Sequence, residues 1–136
     1  MKNSKEISMA DKIVIDTFAW VEYFLGSPDG DKVKNLIEGK DAVTPTIVIA
    51  ELSAKYLKEG KDFNNKLKFI KFNTNVAVLN DTIAELSGKI KIEQRKNKKD
   101  FGIVDSIVYA TALILNANVI TGDPHFKDME NVVMIR

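Results

Sequence analysis

Four carboxylates, Asp16, Glu51, Asp105 and Asp123, each interrupt a mostly apolar run: Lys-Ile-Val-Ile-Asp16, Ile-Val-Ile-Ala-Glu51-Leu, Gly-Ile-Val-Asp105-Ser-Ile-Val and Asn-Val-Ile-Thr-Gly-Asp123. Acidic side chains are rarely buried unless something pairs with them. Four on apolar elements therefore ask for a shared counter-charge, and a divalent cation supplies one. Held together without it, they would repel one another and keep their protons to higher pH. The chain has no cysteine and one histidine, so the donor set is carboxylate and water, which suits Mg2+ or Mn2+ rather than Zn2+. Such an ion acidifies water and offsets charge on a phosphoryl oxygen, and a pair about 3.5–4 Å apart clamps both the attacking and the leaving oxygen. The sequence leaves the number of ions open. It points to a metal-dependent hydrolase.

Each acid also has a structural alternative. Asp16 could cap a helix, and Asp105 could answer a helix dipole. Asp123, in Gly-Asp-Pro, could be ordinary turn chemistry, and Glu51 could pair with Lys55. Thr17 and Thr121 stand beside the acids as supporting groups that either orient a ligand or bond the local backbone. His125, beside a proline turn, is read as a surface or packing residue and not as a general base. Asp100 is read as a cap or loop residue. Trp20, Tyr23 and Phe24 are read as core or oligomer contacts.

Positioning these residues requires a particular set of elements. Residues 12–16 read as a buried strand ending at Asp16. A helix follows through Phe18–Leu25 and stops near Gly26-Ser27-Pro28. Asp29 or Asp31 starts a second helix, ended by Gly39, and Ala42-Val43 is a very short strand. Thr44-Pro45 looks like an N-cap with proline at the first helical position, opening a helix to Gly60 that carries Glu51 on the face of Ile47, Ala54 and Lys55. Residues 62–71 form a further helix, and Val76–Leu79 a buried strand. Asn80, Asp81 or Thr82 caps a helix through Ile83, Leu86 and Ile90. After Asp100-Phe-Gly102, a long apolar helix with Asp105 near its start runs to Leu115. Residues 118–121 form a strand ending at Gly122-Asp123-Pro124, and 131–135 a last strand. Strands alternating with helices predict a three-layer α/β/α sandwich on a mainly parallel, short-stranded sheet. In such sheets ligands bind outside the carboxyl ends of the strands, where Asp16 and Asp123 both fall.

At 136 residues with 45% hydrophobic and 29% charged content, the chain has the size and composition of one globular domain. We expect an N-terminal tail over residues 1–11, with Met9 as an alternative start, and one domain over 12–136. No apolar run is long enough to span a membrane, and the first eight residues lack a secretion signal, so a cytoplasmic location is expected. The net charge of +1 conceals a block at residues 86–99 with six Lys/Arg against Glu93 alone. Lys96, Lys98 and Lys99 within it are candidate contacts to a polyanion, the alternative being a solvated helix face.

At these residues the chain resembles PIN-domain proteins, specifically the small VapC ribonuclease toxins. The resemblance runs from residue 12 to the C-terminus through Ile15-Asp16-Thr17 with Trp20 and Phe24, Thr44-Pro45 leading to Ala50-Glu51-Leu52, Asp105-Ser106-Ile107 with Ala110-Thr111-Ala112, and Ile120-Thr121-Gly122-Asp123-Pro124-His125-Phe126. It implies that Asp16, Glu51, Asp105 and Asp123 bind Mg2+ or Mn2+, that Thr121 orients them, and that RNA is cut at phosphodiester bonds. It also implies a homodimer and a VapB-like antitoxin. One alternative is an RNA-processing nuclease, or a catalytically silent RNA-binding module, outside any toxin–antitoxin pair. Another is a receiver-type phosphoacceptor domain, but Lys-Ile-Val-Ile-Asp16 lacks the neighbouring acid that such a domain expects.

Overall fold

The computed structural model describes residues 10–136. The expected tail falls mostly outside the described residues, as does Met9. Five parallel strands run β1 (Lys12–Ile15), β2 (Asp41–Pro45), β3 (Asn75–Ala77), β4 (Asn118–Thr121) and β5 (Val132–Met134), in the spatial order β3-β2-β1-β4-β5. Six helices connect them: α1 (Thr17–Leu25), α2 (Pro28–Gly39), α3 (Thr46–Lys58), α4 (Asn64–Asn73), α5 (Asp81–Arg95) and α6 (Ile103–Ile114). The connections step from β1 to one edge of the sheet and then, after β3, cross back to β4 and β5. With right-handed crossovers, that reversal puts helices on both faces. The three-layer α/β/α arrangement is therefore as expected.

The sheet core follows from β-branched residues in fully buried parallel strands. Ile13, Val14, Ile15, Val119 and Ile120 are all 0% exposed. Helix α1 covers them with Trp20, which is buried, while Tyr23 and Phe24 are half-buried. Trp20 stacks on Phe24 with ring centroids 5.4 Å apart. These aromatics are thus part of the core and its margin.

Several boundaries differ from expectation for local reasons. Thr44 does not cap α3. It is the penultimate residue of β2, fully buried, and its hydroxyl bonds Trp20 Nε1 at 3.2 Å and the Thr74 hydroxyl at 2.8 Å. Pro45 then takes the N-cap position instead of the first helical one. A buried hydroxyl with two partners in the core outweighs a cap at the surface. Helix α2 is capped by Ser27, whose Oγ accepts the Gly30 amide at 3.0 Å, with Pro28 at its first turn, so neither Asp29 nor Asp31 is the cap. Strand β3 ends at Ala77 and leaves Val78 and Leu79 exposed. Asn80 is the residue that caps α5, accepting the Ile83 amide at 2.9 Å. No helix among the described residues is long and apolar enough to cross a membrane.

Candidate metal centre at the carboxyl rim

Strands β1 and β4 are neighbours, with Ile15 in register with Ile120. The chain leaves β1 toward one sheet edge and β4 toward the other, so their carboxyl ends form a topological switch point, where open α/β sheets bind ligands. Asp16 and Asp123 follow these two strands. A cavity of about 240 Å3 opens there, lined by Asp16, Thr17, Glu51, Asp105 and Asp123 with Phe18, Val104, Val108 and Phe126 as its apolar wall. The fold thus places all four sequence-selected acids on one cavity. Helix α3, which carries Glu51, packs on both α1 and α6.

Each acid is held by its own local device. Asp16 caps α1: its Oδ1 accepts the Ala19 amide at 2.8 Å. At 5% exposure it is the only buried member of the four. Burial pushes its carboxyl up to about 7, against bonds from Thr121 and the Ala19 amide that hold it down; the charges of Asp123 and Asp105 push it further up. Thr121 is fully buried, and its hydroxyl also accepts the Asp123 amide at 2.9 Å. One threonine thereby ties together the two acids of the switch point.

Asp105 lies at the third position of α6, and its Oδ2 accepts the Gly102 amide at 3.1 Å. Its place in the first turn favours negative charge through the helix dipole. Asp123 caps a 3-10 turn over Pro124–Phe126 by accepting the His125 amide at 2.9 Å. A Cβ at Gly122, between Thr121 and Asp123, would lie 2.3 Å from the Phe18 ring, so any side chain there would force that ring to move.

Glu51 differs from its expected setting because it is exposed. Val48, Leu52 and Tyr56 form the buried stripe of α3, and Glu51 sits just off it. Lys55 does not neutralise it; Lys55 pairs with Glu59 at 2.6 Å. Glu51 Oε1 instead accepts the Thr17 hydroxyl at 2.6 Å. Thr17 thus acts on an acid of the cavity and not only on its own helix.

His125 is the residue that sequence reasoning underrated. Its Nδ1 lies 3.0 Å from Asp105 Oδ2 and 3.6 Å from Asp123 Oδ1. The signal was available in Asp123-Pro124-His125, since an Asx cap followed by proline turns the chain back on itself. Asp105, Asp123 and His125 offer donor atoms within 4.8 Å of one another, a spacing that fits a cation. Among the described residues no Lys or Arg forms an ion pair with any of the four acids. This is a donor set of carboxylates with one imidazole and no built-in counter-charge, so it fits a divalent metal.

A model of the PIN domain matches residues 13–132. The chain belongs to the PIN domain family. Comparison with curated proteins gives no match. Among solved structures, this PIN domain is similar to a chain of a toxin–antitoxin complex from Klebsiella pneumoniae at 20% identity and TM-score 0.71, covering 91% of this chain and 98% of that one. A chain of DNA-bound VapBC from Salmonella typhimurium gives 17% identity and TM-score 0.72, over 92% and 98% of the two chains. VapC20 of Mycobacterium tuberculosis, a sarcin-ricin loop cleaving toxin, gives 16% and 0.66, over 84% and 92%. At these identities the likeness is one of fold.

The basic residues lie apart from this cavity. Lys96 pairs with Glu93 at 3.0 Å, and both are exposed. Lys98 is half-buried and donates to the Lys127 carbonyl at 2.7 Å, joining the end of α5 to the loop after the 3-10 turn. Lys99 and Asp100 are exposed. None of the four lines the cavity.

Proposed function

We propose that residues 12–136 act as one Mg2+- or Mn2+-dependent endoribonuclease domain, the toxin of a type II toxin–antitoxin pair. The observation that carries this reading is the convergence of Asp16, Glu51, Asp105 and Asp123 on one cavity at the switch point, with no cationic side chain among them. Membership of the PIN family and the fold shared with VapC chains support RNA as the substrate. Asp16, Asp105, Asp123 and Glu51 would hold the cation. Bound there, it would supply an acidified water and charge compensation on the scissile phosphate.

The remaining work falls to the chain's own groups. Thr121 fixes the spacing between Asp16 and Asp123, Thr17 aims Glu51 across the cavity, and the Gly102 amide fixes Asp105. Phe18, Val108 and Phe126 form an apolar wall of the cavity. Lys96, Lys98 and Lys99 would meet phosphates away from the cut site, so the RNA would lie from the rim toward the end of α5. The solved neighbours include VapBC complexes, which supports a VapB-like antitoxin as partner. A homodimer and a cytoplasmic location complete the reading.

The test is cleavage of structured RNAs by purified protein with Mg2+ or Mn2+, beside EDTA and the variants Asp16→Asn and Asp105→Asn. Cutting that requires metal and is lost in both variants is expected. Cutting that survives both substitutions would sink the assignment. A catalytically silent RNA-binding module predicts instead RNA retention without cutting under every metal condition.

A further inference from the structure

Building on the metal-dependent reading, we propose that His125 is a nitrogen ligand of the cation, bound through Nδ1 beside Asp105 and Asp123, and that it biases the site toward Mn2+ over Mg2+. Three observations carry this. The first is spacing. In an octahedral shell with bonds of about 2.1 Å, neighbouring ligand atoms stand about 3 Å apart. Nδ1 is 3.0 Å from Asp105 Oδ2 and 3.6 Å from Asp123 Oδ1, so the ring already holds a neighbouring-ligand position.

The second is that the ring's place is built in. Asp123 Oδ1 accepts the His125 amide, and Pro124 sets the preceding backbone angle. Phe126 is buried, with its ring 5.6 Å from that of Phe101. The backbone that carries the imidazole is therefore held on both sides along the chain. The third is that it has no other business: among the described residues its ring bonds only Asp105 and otherwise approaches only Asp123. Its side chain is 40% exposed, so an ion can reach it.

Asp105 Oδ2 also accepts the Gly102 amide, which leaves a second lone pair on that oxygen and the whole of Oδ1 for a cation. Mg2+ takes oxygen ligands and keeps its water, whereas Mn2+, which shares its carboxylate preference, belongs to the transition series and accepts a nitrogen ligand more readily than Mg2+ does. A nitrogen in the set thus favours Mn2+. The competing role is that of a positioning residue that merely orients Asp105, and metal-centred spectroscopy separates the two.

The experiment uses the intact protein loaded with Mn2+. Pulsed electron paramagnetic resonance should show coupling to a histidine nitrogen in the wild type and none in His125→Ala. By calorimetry, His125→Ala should lose about tenfold or more in Mn2+ affinity and less than about threefold in Mg2+ affinity. Mn2+ binding that depends on Asp105 but shows no nitrogen coupling overturns the His125 assignment alone. Equal losses for both ions overturn the bias toward Mn2+. Absence of Mn2+ binding to the wild type overturns the assignment together with the metal-dependent reading. The wild-type spectrum needs no variant, so it decides the point even if His125→Ala folds poorly.

Discussion

The Thr17 hydroxyl donates to Glu51 Oε1 at 2.6 Å, across 34 residues of sequence. It joins the first turn of α1 to the middle of α3 and holds an otherwise exposed carboxylate over the cavity. Groups that orient metal-binding carboxylates typically carry about 10–100-fold of affinity or activity. We expect Thr17→Val to lower RNA cleavage by that order with little change in melting temperature, and Thr17→Ser to restore most of it. Full activity in Thr17→Val would show that Glu51 needs no anchor.

Asp16 gives a pH signature to the metal-free protein. Its carboxyl titrates near 7 when folded against an ordinary value of 3.8. Between those values the folded state holds a proton that the unfolded chain has released. Stability in EDTA is therefore fully present below about pH 4 and falls as pH rises through 7. Asp16→Asn removes the ionisation, so at pH 8 it should be more stable than the wild type by roughly 2–4 kcal/mol, and near pH 4 no more stable. Urea unfolding at the two pH values measures this, and equal stability of the two proteins at pH 8 would contradict it.

At Gly122 the turn after β4 lies against Phe18 of α1. A methyl group there meets the Phe18 ring at 2.3 Å. Gly122→Ala should cost about 1–3 kcal/mol of stability, as other overpacking substitutions do. It should also lower cleavage, because the displaced ring walls the cavity and Asp123 is the next residue. Adding Phe18→Leu should recover part of the loss in stability, which a double-mutant cycle would register as coupling. Strict additivity would place the strain elsewhere.

The salt dependence of RNA binding tests the basic block. Lys96 and Lys99 are exposed, whereas Lys98 also clips α5 to the Lys127 carbonyl. Replacing Lys96 and Lys99 by Ala should weaken RNA binding across sequences and reduce the slope of log affinity against log salt by about two. Lys98→Ala should in addition lower thermal stability. An unchanged slope in the double variant would remove these lysines from the substrate path.

The acids were legible because carboxylates at the ends of β-branched runs are energetically odd, and because strand ends of a parallel sheet share a rim. Their burial was less legible. Apolar neighbours in sequence predicted burial for all four, yet on a helix the neighbours of Glu51 turn to other faces, and only Asp16 is enclosed. Thr44 misled because its cap signature is local, while the pull of Trp20 and Thr74 is tertiary. The place of His125 was not legible because its contact with Asp105 depends on the turn at Asp123 and on α6 delivering Asp105 from twenty residues upstream. Periodicity carries neither fact.

Asp16 and Asp123 follow adjacent strands but are separated by more than a hundred residues of the 136-residue chain. No contact within the first hundred residues can stand in for the β1–β4 pairing, so that stretch brings together at most Asp16 and Glu51, half of the acid cluster. During synthesis, everything up to the end of α5 is made before the segment bearing Asp105 and Asp123 exists. Long-range parallel pairings of this kind also come late in folding. A nascent chain that stalls before β4 therefore carries no assembled four-acid centre.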